Sequence, residues 1–183
     1  MQILVAYASK HGSTRGLAEA VGDGLTRAGH PADVRRVQDV DDLGGYDAFV
    51  IGAATYAMHW RKEAVAFVHQ HEELLRHHPV WLFSSGPLGT GTTDDEGRDL
   101  REVSDPKEFP ELTAAVAASG TRVFFGALDP TKLGAGERAI RKLPAGRALL
   151  PAGDFRDWSD VATWTGEIAE EIGHLTGTTA SGY

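Results

Sequence analysis

Three short segments combine hydroxyls, glycines and large rings in a way that suits a flat, phosphorylated ligand. The first is Ser9-Lys10-His11-Gly12-Ser13-Thr14. Ser9, Ser13 and Thr14 supply hydroxyl donors, and Gly12 lets the backbone turn tightly and approach a ligand. The segment runs into an amphipathic stretch, whose helix N-terminus would add unpaired N–H groups and a positive dipole end. A phosphate there would be held mainly by neutral donors, although Ser and Thr also suit an ordinary helix cap. The pattern lacks Gly-x4-Gly-Lys-Ser/Thr, which argues against a P-loop nucleotide site. The second segment is Ala54-Thr55-Tyr56-Ala57-Met58-His59-Trp60. Its small residues let backbone lie against a ring, while Tyr56, Met58, His59 and Trp60 offer surfaces to cover it. His59 is also a candidate for proton delivery, because histidine titrates near physiological pH. The third segment, Ser85-Gly86-Pro87-Leu88-Gly89, gives hydroxyl and backbone donors but no aromatic.

Each segment follows an apolar run, and those runs must position it. Gln2 to Tyr7, Asp47 to Ile51 and Pro79 to Phe83 read as strands buried on both faces. Ala32 to Val37 alternates as an edge strand would, and Arg122 to Ala127 completes five. Helical periodicity appears from about Ser13 to Gly29, from Ala64 to Arg76 and from Trp158 to Leu175. Alternating strands and helices predict an α/β three-layer sandwich around a five-stranded parallel sheet, order 2-1-3-4-5. In that order the ligand site lies outside the carboxyl ends of the first and third strands, where strand order reverses. Topology alone therefore selects the same three loops. Residues 1–175 read as one domain and 176–183 as a flexible tail. Two stretches, Gly89 to Asp105 and Asp129 to Gly153, look irregular and too long for plain connections.

Composition narrows the chemistry. The 183 residues carry 18 Lys and Arg against 26 Asp and Glu, a net charge of −8. That balance argues against a nucleic-acid binder and favours docking on basic partners. With no cysteine, thiol catalysis and Cys-ligated metal or iron–sulfur sites are excluded, so redox chemistry would need a bound cofactor. No apolar run reaches the roughly 20 residues of a membrane span or the length of a secretory signal, so the expected location is cytoplasmic.

Taken in order, the three loops resemble those of the flavodoxin family. Ser9-x-x-Gly12-Ser13-Thr14 looks like its phosphate loop for flavin mononucleotide (FMN), and Ala54–Trp60 and Ser85–Gly91 look like its two flavin-flanking loops. The resemblance implies one FMN, held non-covalently by Ser9 to Thr14, Ala54 to Met58, Trp60 and Ser85 to Gly89. Within the superfamily, Val50-Ile51-Gly52-Ala53, Phe125-Gly126-Ala127-Leu128 and Gly153-Asp154 resemble the menaquinone-dependent protoporphyrinogen dehydrogenase group. Asp129 to Leu150 lacks that group's long aromatic and apolar insertion. The implied partners are a redox protein or a small planar acceptor such as a quinone or tetrapyrrole, with peripheral membrane contact open.

Carrier, enzyme and a deazaflavin-binding relative remain alternatives at this stage. The acidic charge suits a carrier. An open flavin face suits an enzyme, as does the basic island of Lys132, Arg138, Arg141, Lys142 and Arg147. Solvated loop and helix faces also gather such charges. Gly134 to Ala139 matches a dinucleotide pattern but does not directly follow a strand. His69, His71, His77 and His78 lack a carboxylate cluster that would make them metal ligands. A phospho-receiver would need acidic residues where Tyr7-Ala8 and Ile51-Gly52 stand.

Overall fold

The computed structural model describes residues 1–180. Five parallel strands form the sheet: β1 (Ile3–Ala8), β2 (Ala32–Arg36), β3 (Ala48–Tyr56), β5 (Val80–Ser85) and β6 (Gly120–Phe124), in the order β2-β1-β3-β5-β6. A two-residue strand, β4 (His59–Trp60), pairs antiparallel with the end of β3. Leaving β4 aside, the order is the expected 2-1-3-4-5. Register is continuous across the centre, with Val5 beside Val50 and Val50 beside Trp81.

Alternation along the strands divides the core into two layers. Leu4, Ala6, Phe49, Ile51 and Leu82 face α2 (Lys62–Gln70), α3 (Glu72–Leu75) and α4 (Phe109–Val116). Ile3, Val5, Val50, Trp81 and Phe83 face α1 (Ser13–Arg27) and α7 (Trp158–Ala180). β1, β3 and β5 are apolar on both faces because both are covered. Gly52 has a steric role in this layer: a Cβ added there would lie 1.9 Å from the Phe83 ring.

Several elements differ from the sequence expectation. The helix expected over 64–76 is two, broken at His71, whose amide is shared between the Phe67 and Val68 carbonyls. α4 was not expected; Phe109, Leu112 and Val116 bury its inner face. The last sheet strand starts two residues earlier than expected and ends at Phe124, followed by β7 (Ala127–Leu128) pairing with β8 (Gly153–Asp154). The segment expected to be irregular from Asp129 to Gly153 forms two helices, α5 (Ala135–Arg141) and α6 (Pro144–Leu149). Glu137 reaches back to the Gly134 amide (2.8 Å) and Pro144 opens α6, so capping outweighs the Gly and Pro content. α7 continues to Ala180, so residues 176–180 of the expected tail are helical, and 181–183 lie outside the described residues.

Candidate functional site

At the carboxyl ends of β1 and β3 a cleft encloses about 360 Å³, within the range of small-molecule sites. The first loop enters it through Ser9, His11, Ser13 and Thr14, the second through Ala54 to Ala57, and the third through Ser85, Gly86 and Leu88. Gly126 to Leu128 and the pair Leu149-Leu150 close the remaining sides.

The hydroxyls of the first loop divide their work. Ser9 Oγ accepts the Gly12 amide at 3.1 Å, holding a turn in which Gly12 sits at φ 91°. Ser13 Oγ accepts the Ala127 amide at 2.8 Å and lies 3.0 Å from Ser85 Oγ, so it ties three loops together. Thr14 is different. Its side chain is fully buried and its Oγ1 has no hydrogen-bond partner. It is the second residue of α1, whose N-terminus no side chain caps. A buried hydroxyl left unpaired costs about 1–3 kcal/mol, which makes it a marker for a missing partner.

Cations gather at this end, where neutral donors had been expected. A Cβ built on Gly12 would lie 3.5 Å from Lys132 Nζ. Arg156 donates from Nη1 to the Ser13 carbonyl at 3.4 Å and stacks over Trp158 at 4.4 Å. Lys10 points away to Glu137 at 2.7 Å. Lys132 and Arg156 come from beyond residue 129; Lys132 was legible only as a member of the basic island, and Arg156 was not singled out in the sequence.

The second loop is a hairpin. Its two-residue turn places Ala57 and Met58 at φ 50° and 65°, the left-handed region a type I′ turn demands. The Met58 carbonyl accepts the Lys107 amide at 2.9 Å. Glu108 accepts from the Trp60 amide at 2.9 Å and pairs with His59 Nδ1 at 2.7 Å. Burial would push the Glu108 carboxyl up, but these hydrogen bonds outweigh it and hold it below the usual range. The clamp turns Trp60 inward, where it packs on Phe109 at 5.5 Å and donates to the Phe83 carbonyl at 3.3 Å. Trp60 therefore belongs to the core. His59 lies outside the cleft, and Met58 sits half-exposed at the turn. In the third loop Pro87 accepts the Gly126 amide at 2.9 Å; neither it nor Gly89 lines the cleft.

A second cavity of about 330 Å³ lies beside β6, lined by Asp99, Arg101, Glu102, Asp105 and Thr121 to Val123. Its arginines pair internally: Arg101 with Asp99 at 2.6 Å and with Asp160 at 3.3 Å, and Arg122 with Asp160. The guanidinium beside Asp99 holds that carboxyl at about 2. Both guanidiniums are thus already paired within the protein. Among the described residues, no group of three or more His, Asp or Glu is placed to hold a metal ion.

Residues 4–145 match the family model of the flavodoxin domain. The chain belongs to the flavodoxin-domain family. Its fold is that of the flavodoxins: a flavodoxin from the domain Archaea aligns over 95% of this chain and all of its own, TM-score 0.57 and 18% identity. Oxidised flavodoxin 2 from Bacillus cereus covers 93% of this chain and 99% of its own, TM-score 0.56 and 19% identity. Rubredoxin oxygen:oxidoreductase of Desulfovibrio gigas aligns over 94% of this chain but 36% of its own, TM-score 0.60 and 10% identity. A curated relative, "NAD(P)H dehydrogenase (quinone)" of Nitrobacter winogradskyi, is 31% identical over 38% of this chain. The match spans 46% of that relative, under half its length. Among the described residues, no helix of this flavodoxin-domain protein is long and apolar enough to cross a membrane.

Proposed function

We propose that this flavodoxin-domain protein binds FMN at the switch point and is an oxidoreductase acting on a small planar acceptor such as a quinone. The observation that carries the reading is Thr14: a buried, unpartnered hydroxyl at an uncapped helix N-terminus, where a phosphate oxygen would complete it. The residues present fit the group. Thr14, Ser9 and the first-turn amides of α1 would hold the phosphate, with Lys132 and Arg156, each paired with an aspartate, beside them. Ala54, Thr55 and Ala57 on one side and Ser85 and Gly86 on the other would admit a flat ring to close approach. FMN supplies hydride and electron transfer when bound; the protein supplies orientation and a local field. The Thr55 hydroxyl is fixed by its hydrogen bond to Ser84, which sets the polar wall of the cleft. Leu128, Leu149 and Leu150 make another wall apolar.

The name of the curated relative, an NAD(P)H dehydrogenase (quinone), is in keeping with a small acceptor. A carrier reading draws on the net charge of −8, which would steer the protein onto basic partners. Steady-state assays of FMN-loaded protein with a nicotinamide reductant separate the two. Saturable reduction of a soluble quinone supports the enzyme. Electron transfer only in the presence of an added reductase and a protein acceptor would replace that reading with a carrier. The tetrapyrrole and deazaflavin alternatives are tested by the same assay with protoporphyrinogen as donor, and by a deazaflavin in place of FMN.

A further inference from the structure

His11 is the second buried group at this site with an unanswered atom. Its side chain is 6% exposed, it lines the cleft, and its Nδ1 has no hydrogen-bond partner. Its other nitrogen, Nε2, lies 3.1 Å from Glu137 Oε1 on α5, 126 residues away in sequence. Burial would push the Glu137 carboxyl up, but hydrogen bonds from Lys10, the Gly134 amide and His11 hold it at about 2. An ionised carboxylate only accepts, so Nε2 carries the ring proton toward Glu137 and Nδ1 is left for the cleft side.

We propose that Glu137 is a positioning residue: it fixes the His11 ring so that Nδ1 meets the cofactor phosphate, and so latches α5 onto the phosphate loop. This deepens the FMN reading and rests on it. A carboxylate behind an imidazole sets its orientation, and with a phosphate in place a ring protonated on both nitrogens donates to Glu137 and to the phosphate at once. The ring is otherwise faced by Lys10 from its own loop and by Tyr56 from β3, edge-on at 6.4 Å. The neighbouring pocket holds two internal ion pairs, Lys132–Asp129 at 4.0 Å and Arg156–Asp154 at 2.5 Å. Glu137 is thus the acid in direct contact with the ring. Its second oxygen caps α5 through Gly134, so the same side chain that orients His11 also starts the helix. The segment carrying Leu149 and Leu150 over the cleft is thereby tied to the phosphate end.

The test compares FMN with riboflavin, which lacks the phosphate, by calorimetric titration of wild type, Glu137→Gln and His11→Asn. Wild type is expected to prefer FMN and to take up protons on binding FMN but not riboflavin, read from buffers of different ionisation enthalpy. Glu137→Gln is expected to weaken FMN about tenfold, the scale of one charged hydrogen bond, with riboflavin unchanged and proton uptake reduced. His11→Asn should abolish the proton uptake. An unchanged FMN-to-riboflavin ratio in both variants overturns the latch while leaving FMN binding intact. Equal losses for both ligands overturn it also, since they would report a general loosening of the fold. Wild type that binds neither ligand would remove the FMN reading itself, and the latch with it.

Discussion

Two histidine–glutamate pairs hold the two ends of the cleft, and they do different jobs. His59–Glu108 sits outside, with the histidine side chain 57% exposed and its Nδ1 consumed by the carboxylate. Glu108 also takes the Trp60 amide, so the pair is a structural clamp on the hairpin. His11–Glu137 sits inside, with the same distance class but a free ring nitrogen at the cleft. The residue types match; burial and the atom left over separate the roles. Each ring is held by its glutamate at one nitrogen, so the difference lies in where the ring sits. His59 is exposed and outside the cleft, whereas His11 is buried and lines it with its second nitrogen unpartnered.

The largest effect expected is at the phosphate end. Thr14→Val deletes the unpartnered hydroxyl at nearly constant volume. FMN affinity should fall by about 10- to 100-fold, as for a hydrogen bond to a charged group. The melting temperature of the apoprotein should hold or rise, because an unsatisfied polar atom leaves the interior. A lowered melting temperature with unchanged FMN affinity would make Thr14 scaffold too. Next comes the outer clamp. Glu108→Ala should cost about 1–2 kcal/mol of stability by denaturant unfolding, since a part-buried amide and a histidine both lose their acceptor. Its FMN-to-riboflavin ratio should remain that of wild type, in contrast with Glu137→Gln.

The inner pair also has a pH signature. The Glu137 carboxyl is held at about 2 in the fold against an ordinary 4.5. Its contribution is complete above pH 4.5 and is lost as pH falls toward 2. The melting-temperature gap between wild type and Glu137→Gln should therefore be widest near neutrality and close across that window. A gap that persists at pH 2 would contradict the ion pair. Smaller again is the hairpin turn: Met58→Gly should stabilise by about 0.5–1 kcal/mol by relieving a left-handed φ in a non-glycine residue. Least of all is His59→Ala, expected to cost under about 0.5 kcal/mol at an exposed pair and to leave any turnover and its pH profile unchanged.

β1, β3 and β5 were legible because strands covered on both faces must be apolar throughout, and topology then placed the three loops. The direction of Trp60 was not. It depends on β4 pairing with β3 and on Phe109 of α4, a short helix whose first-turn proline, Pro110, was passed over as a start signal. Glu137 was passed over for a similar reason: within Gly134 to Ala139 it reads as part of a polar, glycine-rich stretch. Only the return of α5 across the phosphate loop brings it to His11. The hydroxyls of the first loop looked equivalent in sequence, and tertiary partners assigned Ser13 to loop bridging and Thr14 to the cleft.

FMN at the switch point is tested most directly by the visible absorption spectrum of the purified protein as FMN is titrated in. The expected result is a yellow protein, or a saturable shift of the flavin bands with one FMN per chain, diminished in Thr14→Val. An unchanged free-flavin spectrum at every ratio would contradict the assignment and leave Thr14 as a buried hydroxyl without a ligand.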